Sequence, residues 1–94
     1  MLQLIVNSDA QRIPLRDNSI SAVCTSPPYF GLRQYKGVKP SLWADGSVVC
    51  LGMESSPADY ISHLVGIFRE VRRVLSPQGV CWVVIGDSLW GGGG

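Results

Sequence analysis

Apolar positions along the chain fall into short runs separated by one long amphipathic stretch. Leu2-Gln3-Leu4-Ile5-Val6 reads as a strand that stops at the turn-prone Asn7-Ser8-Asp9. A second short run rich in β-strand formers, Ile20-Ser21-Ala22-Val23-Cys24, follows the turn residues Asp17-Asn18-Ser19 and predicts another strand. That strand must end by Pro27-Pro28, because neither proline has an N–H to give to a ladder. From Phe30 to Ser55 no period persists, although Asp45-Gly46 between Leu42-Trp43 and Val48-Val49-Cys50 suggests a two-residue hairpin. An irregular stretch of this length inside a small domain is usually functional or disordered.

The helix prediction is the clearest. Ser56-Pro57-Ala58-Asp59 supplies an N-cap serine, a proline at the first helical position and an acid placed to close a capping box. Ile61, Leu64, Val65, Phe68, Val71, Val74 and Leu75 then recur at the spacing of one buried helical face. Ser62, Arg69, Arg72 and Arg73 fall off that face, and the late arginines suit the negative end of the helix dipole as a solvated terminus. His63 reads as an ordinary helix residue, since no ligand-type side chains neighbour it in sequence. Ser76-Pro77-Gln78-Gly79 predicts the stop, and the apolar residues 80–85 a strand covered on both faces.

Strand, helix and strand in that order make an α/β arrangement with a right-handed parallel βαβ unit. Both Ser26-Pro27-Pro28-Tyr29 and Gly86-Asp87-Ser88 then lie at the carboxyl ends of parallel strands, where open α/β sheets place their ligands.

Composition narrows the class further. With 94 residues the chain holds at most one small domain, or part of a larger one. A charged share of 16% against an apolar share of 46% suggests a surface that expects to be covered. The net charge of +1 gives no field-scale attraction to nucleic acid or anionic membrane. No apolar run approaches the ~20 residues that span a bilayer, and the N-terminus has no signal-peptide pattern, so a cytoplasmic protein is expected. Cys24, Cys50 and Cys81 read as reduced thiols packed as small hydrophobes, and no two are spaced as metal ligands.

Thr25-Ser26-Pro27-Pro28-Tyr29-Phe30 carries the sharpest chemistry. Two successive prolines fix φ and force Ser26 into an extended conformation, making a stiff corner with a hydroxyl, prealigned carbonyls and an aromatic ring. Such a corner suits a planar ligand bearing an NH₂ group, with the ring on its face and oxygens on its hydrogens. The same residues also describe a proline-rich turn with Tyr29 in the core.

The tetrad Ser26-Pro27-Pro28-Tyr29 resembles the catalytic motif of the permuted (beta-class) DNA amino-methyltransferases. Its context agrees: Ser8-Asp9-Ala10, Asp17-Asn18-Ser19-Ile20, Gly31-Leu32-Arg33, the helix sequence from Phe68 to Leu75, and Gly86-Asp87-Ser88 are similar to phage and bacterial members. The resemblance covers most of the chain. It implies a partial Rossmann-like methyltransferase fold, S-adenosyl-L-methionine as cofactor, and double-stranded DNA as partner. The reaction implied is methyl transfer to the exocyclic amine of a flipped base, cytosine N4 favoured over adenine N6 because serine opens the tetrad, often within restriction-modification.

In that chemistry Ser26 Oγ and the Pro27 carbonyl accept the two amine hydrogens, Pro28 stiffens the corner, and Tyr29 stacks on the extruded ring. Asp9 and Asp87 are implied as cofactor-binding, with Ser8 standing where the family usually has glycine. Arg33, Lys36 and Lys39, interleaved with Phe30, Tyr35 and Trp43, are candidates for DNA contact, or for a solvated loop. The family's target-recognition segment and glycine-rich cofactor loop of Phe-x-Gly-x-Gly type are absent, and Gly91-Gly92-Gly93-Gly94 is not that loop. The expectation is therefore an N-terminal catalytic-motif fragment, residues 1–94, inactive alone and in need of a C-terminal half or second chain. Two rivals are a non-catalytic remnant or split-enzyme half, and a GDSL-type serine esterase with Ser88 as nucleophile.

Overall fold

The computed structural model of the chain describes residues 5–31 and 39–85. Its elements are β1 (Ile20–Thr25), β2 (Ser41–Leu42), β3 (Val48–Val49), α1 (Pro57–Val74) and β4 (Leu75–Val83). β1 and β4 pair in parallel, with Ala22 opposite Val80 and Thr25 opposite Val83, and the Val84 amide extends the ladder onto the Thr25 carbonyl at 3.0 Å. With α1 between them, they form the expected parallel βαβ unit of a partial α/β fold.

The helix starts where the sequence places it. Ser56 is extended at the N-cap and its side chain accepts from the Asp59 amide at 3.2 Å, with Pro57 opening the first turn. At the other end Leu75 leaves the helical conformation and passes directly into β4. Carbonyls left without helical partners are taken by the turn that precedes β1, the Asn18 amide bonding Arg73 and the Ser19 amide bonding Val74. Asn18 turns the chain there with φ of 54°, a region asparagine tolerates better than most residues.

Several expectations need correction. Ser76-Pro77-Gln78-Gly79 is not simply a stop: pairing jumps from Ile20–Leu75 to Ala22–Val80, so these four residues bulge out of β4 opposite Ser21. Gly79 suits that bulge, because an added Cβ would crowd the Ser76 and Ile20 carbonyl oxygens at 3.0 and 3.2 Å. The β2–β3 hairpin exists, but its loop is five residues, 43–47, rather than two; the Trp43 amide donates to Ser47 O and the Gly46 amide to Trp43 O. Of the first predicted strand, Ile5 and Val6 are exposed and outside any strand, and residues 2–4 lie outside the described residues.

The buried helix face is also rotated from the apolar one. Tyr60, His63, Leu64, Val71 and Val74 are buried, while Ile61 and Val65 are 57% and 42% exposed. The reason is tertiary: the first half of α1 lies against the proline corner and the 43–54 segment, which offer hydrogen-bonding groups to Tyr60 and His63. Strand residues 80–85 are likewise not covered on both faces. One helix can shield only one side of a two-stranded sheet, and Ala22, Cys24, Val80 and Trp82, which share a face by register, are all exposed. Cys24 is thus exposed rather than packed, Cys81 half-buried and Cys50 buried, with no disulfide among them.

Arg73 is not a solvated helix end. It forms a two-pronged pair with Glu70 at 2.7 and 2.9 Å, meets Asp17 at 2.6 Å and donates to the carbonyls of Leu15 and Ile13. Glu70 in turn accepts from the Ile13 amide at 2.6 Å, so the two side chains fasten residues 13–17 to the helix. Arg72 is exposed, as expected.

Val74 is the most deeply buried side chain, 1% exposed at the junction of α1 and β4. Truncation to alanine removes two buried methyl groups. Val74→Ala is expected to cost about 2 kcal/mol in denaturant unfolding.

Candidate functional site

Ser26 is the first residue beyond β1 and is exposed; Pro27, Pro28 and Tyr29 behind it are half-buried. The sequence makes this corner stiff, but neighbours hold it in place. The Tyr60 hydroxyl, from the first turns of α1, donates to the Pro28 carbonyl at 2.6 Å, and the Tyr60 ring lies 5.5 Å from that of Phe30. Burial, then the charge of Glu54 and the neighbouring Tyr29, push the Tyr60 phenol above its ordinary value, so it keeps the proton it donates.

A second hold comes from Gly52. Its carbonyl accepts from the Gly31 amide at 2.7 Å, and its α-carbon packs so closely that a Cβ would lie 2.9 Å from the Tyr29 carbonyl oxygen. Its φ of 97° is open to glycine and strained for any other residue.

Behind Gly52 lies a buried polar cluster. The Gly52 amide donates to Glu54 Oε1 at 2.8 Å, and Glu54 Oε2 is 2.7 Å from His63 Nδ1. His63 Nε2 is 2.8 Å from Asp45 Oδ2, and Asp45 Oδ1 accepts both the amide and the hydroxyl of Ser47. The Trp43 indole stacks on the imidazole at 4.2 Å and 9°, and its N–H donates to the Val49 carbonyl at 2.8 Å. Glu54 and His63 are 7% and 5% exposed, so both need the partners this cluster supplies.

Burial pushes the His63 imidazole down, but the hydrogen bonds it donates to Glu54 and Asp45, reinforced by their charges, carry it above its ordinary value. The Ser47 hydroxyl and amide, then His63, hold the Asp45 carboxyl down at about 2. These signs define a pH window. The raised histidine contributes stability that is complete below its unfolded value of 6.5 and lost as pH rises through the folded one. The depressed Asp45 contributes above 3.8 and is lost as pH falls through about 2. The melting temperature of the wild type relative to His63→Gln is therefore expected to be highest between about pH 4 and 6.5 and to shrink above it. A difference that stays flat from about pH 4 to pH 9 contradicts the charged form of His63.

The cluster is not a hydrolytic centre. Ser47 Oγ lies 3.4 Å from His63 Nε2, but that nitrogen is engaged by Asp45, and the Ser47 hydroxyl donates to Asp45 at 2.6 Å. His63 is equally committed with respect to an esterase reading, whose Ser88 lies outside the described residues.

The remaining candidates are dispersed. Asp9 is exposed and closes a small turn, Oδ1 accepting from the Gln11 amide at 2.9 Å and Oδ2 facing the Gln11 side chain at 3.4 Å. Lys39 is exposed, while Arg33, Lys36 and Asp87 lie outside the described residues. Tyr60, Gly52, Glu54 and His63 were not legible as site residues. The available signal was the i, i+3 spacing of Tyr60 and His63 on α1, with a glycine and an acid just before the N-cap.

Comparison with known proteins assigns a family. The profile of the DNA methylase family matches residues 20–90, from the start of β1 through the corner, the helix and the last strand. The chain belongs to the DNA methylase family. It is 45% identical over 76 residues to the type II methyltransferase M.SfiI of Streptomyces fimbriatus, covering 81% of this chain and 16% of that one. It is 39% identical over 92 residues to M.SmaI of Serratia marcescens, covering 97% and 28%. M.Cfr9I of Citrobacter freundii is 39% identical over 82 residues, covering 87% and 23%. The chain thus spans less than a third of the length of these methylase relatives. No solved structure matches it. No helix among the described residues is long and apolar enough to cross a membrane.

Proposed function

We propose that this chain carries the catalytic-motif part of a DNA amino-methyltransferase of partial Rossmann-like fold. The full-length protein transfers a methyl group to the exocyclic amine of a base extruded from double-stranded DNA, cytosine N4 in preference to adenine N6. The observation that carries this reading is the placement of Ser26-Pro27-Pro28-Tyr29. It stands at the carboxyl end of a parallel strand, with its hydroxyl exposed and its backbone held from behind.

An exocyclic amine is a poor nucleophile because its lone pair is delocalised into the ring. Two fixed acceptors on its hydrogens free that pair by letting the nitrogen pyramidalise. Ser26 Oγ is one acceptor. The other, as the resemblance to the family implies, is the Pro27 carbonyl. Tyr29 stacks on the extruded base and keeps it in register with those oxygens. No covalent link to the chain is required; rigid placement supplies the rate.

The methyl donor is S-adenosyl-L-methionine, which when bound supplies an electrophilic methyl on a sulfonium. Asp9 fits such a group: it is exposed, and Oδ2 has only a long contact to Gln11, leaving acceptor capacity for a hydroxyl or amine of the cofactor. Asp87 is proposed as a second cofactor contact, and Arg33, Lys36 and Lys39 as contacts to DNA beside the corner. We propose further that residues 1–94 act together with a cofactor loop and a recognition segment supplied by the rest of the protein or by a second chain.

The test is incubation of the full-length protein with labelled S-adenosylmethionine and DNA, followed by mass analysis of the digested nucleosides. N4-methylcytosine is expected. N6-methyladenine would correct the base, and transfer to neither would overturn the reading.

A further inference from the structure

The exposed Ser26 and the buried His63 are connected through a continuous set of contacts, and Glu54 and His63 lie buried behind the corner. Gly52 is the joint. Its amide is fixed by Glu54, its carbonyl by the Gly31 amide, and its α-carbon by the close approach of the Tyr29 carbonyl oxygen. Where Gly52 sits, residues 29–31 sit.

Glu54 has no latitude of its own. It is buried, and each carboxylate oxygen has one assignment, Oε1 to Gly52 and Oε2 to His63. A buried carboxylate deprived of its partner is costly, so its rotation away from His63 is suppressed. His63 is in turn fixed by Asp45 on its far nitrogen and by the Trp43 ring on its face. It sits three residues after Tyr60 on the same side of α1, so one stretch of helix grips the corner twice. Tyr60 holds it at Pro28, and His63, through Glu54 and Gly52, holds it at residues 29–31.

We infer that His63 and Glu54 are positioning residues for the methyl transfer proposed above: together they orient Gly52 and thereby hold the Ser26-Pro27-Pro28-Tyr29 corner in its reactive geometry. The inference rests on that functional reading. A metal site is a poor account of the same side chains, because Asp45 and Glu54 bind opposite nitrogens of the ring. Among the described residues no three such groups converge. The raised imidazole is consistent with a clamp between two carboxylates rather than with a base awaiting a proton.

The test uses the full-length protein, comparing Glu54→Leu and Glu54→Gln with the wild type. Glutamine can satisfy every neighbour: its oxygen accepts from the Gly52 amide, its NH₂ donates to Nδ1 of a neutral His63, and Nε2–H faces Asp45. Glu54→Gln is therefore expected to keep kcat within about threefold, whereas Glu54→Leu lowers it about 10- to 30-fold, with KM for DNA and cofactor within about twofold. Hydrogen exchange at the Gly31 and Gly52 amides is expected to accelerate in Glu54→Leu while amides in the middle of α1 keep their protection.

Wild-type turnover in Glu54→Leu, or an equal loss in Glu54→Gln, overturns the inference, as does unchanged exchange at both glycines. Should Glu54→Leu fail to fold, His63→Asn, which cannot reach both carboxylates, is read in the same assays, and wild-type values there also overturn it. The exchange measurement needs no catalysis. A wild type that transfers no methyl group defeats the functional reading, while the exchange still decides whether the cluster anchors the corner.

Discussion

Ser26→Ala in the full-length protein is expected to lower the rate of methyl transfer by about 10²–10³-fold, the usual effect of deleting one preorganised hydrogen-bonding group from a transition state. Cofactor affinity, measured by calorimetry, should stay within about twofold, because Ser26 is exposed just beyond the end of β1, apart from the residues proposed to hold the cofactor. The variant should fold normally: Ser26 is exposed, and the holds on the corner act at Pro28 and at residues 29–31. The division between lost turnover and retained binding distinguishes an acceptor for the amine from a residue that merely shapes the pocket. Equal losses in both measurements would contradict the role given to the hydroxyl.

The second large effect is expected at Gly52, which no chemistry touches. Its φ of 97° strains any L-residue, and an alanine Cβ would be driven to 2.9 Å from the Tyr29 carbonyl oxygen, a backbone atom that cannot swing aside. Gly52→Ala is expected to cost roughly 1–3 kcal/mol in denaturant unfolding. Relief of the contact requires movement of Tyr29 and its neighbours, so turnover should fall on the order of 10²-fold even where the variant is folded. Gly46→Ala is the control: φ there is also positive, at 88°, but nothing lies within 4 Å of the added Cβ. It should share some of the backbone strain and little of the loss of activity. Similar turnover in the two variants would mean that the close approach to Tyr29 does not matter.

These two experiments separate what the corner does from what holds it, and the two differ in how far they could be read from the sequence. Ser26-Pro27-Pro28-Tyr29 was legible because its properties are local: two prolines stiffen their own backbone wherever they occur. The helix was legible for the same reason, with Ser56 and Pro57 marking its start. β1 and β4 followed from short apolar runs, and their parallel pairing from the helix between them.

His63 illustrates the opposite case. Its sequence neighbours offer it nothing, and its partners come from 9 and 18 residues away, in a stretch with no period. Ile61 and Val65 looked buried by periodicity and are not, because the 43–54 segment presents polar groups to the first half of α1. Arg73 looked solvated and instead holds residues 13–17 through an acid and two carbonyls far away in the chain.

The sequence by itself determined the stiff corner, the capped helix, the two parallel strands and the family to which the chain belongs, since each rests on residue types acting over a few positions. Tertiary structure alone decided which side of α1 is buried, why Gly52 must be glycine, and how Glu54, His63 and Tyr60 grip the corner. Hydrogen bonds and close backbone approaches between distant segments depend on where the chain returns in space, and no local pattern of side chains encodes that return.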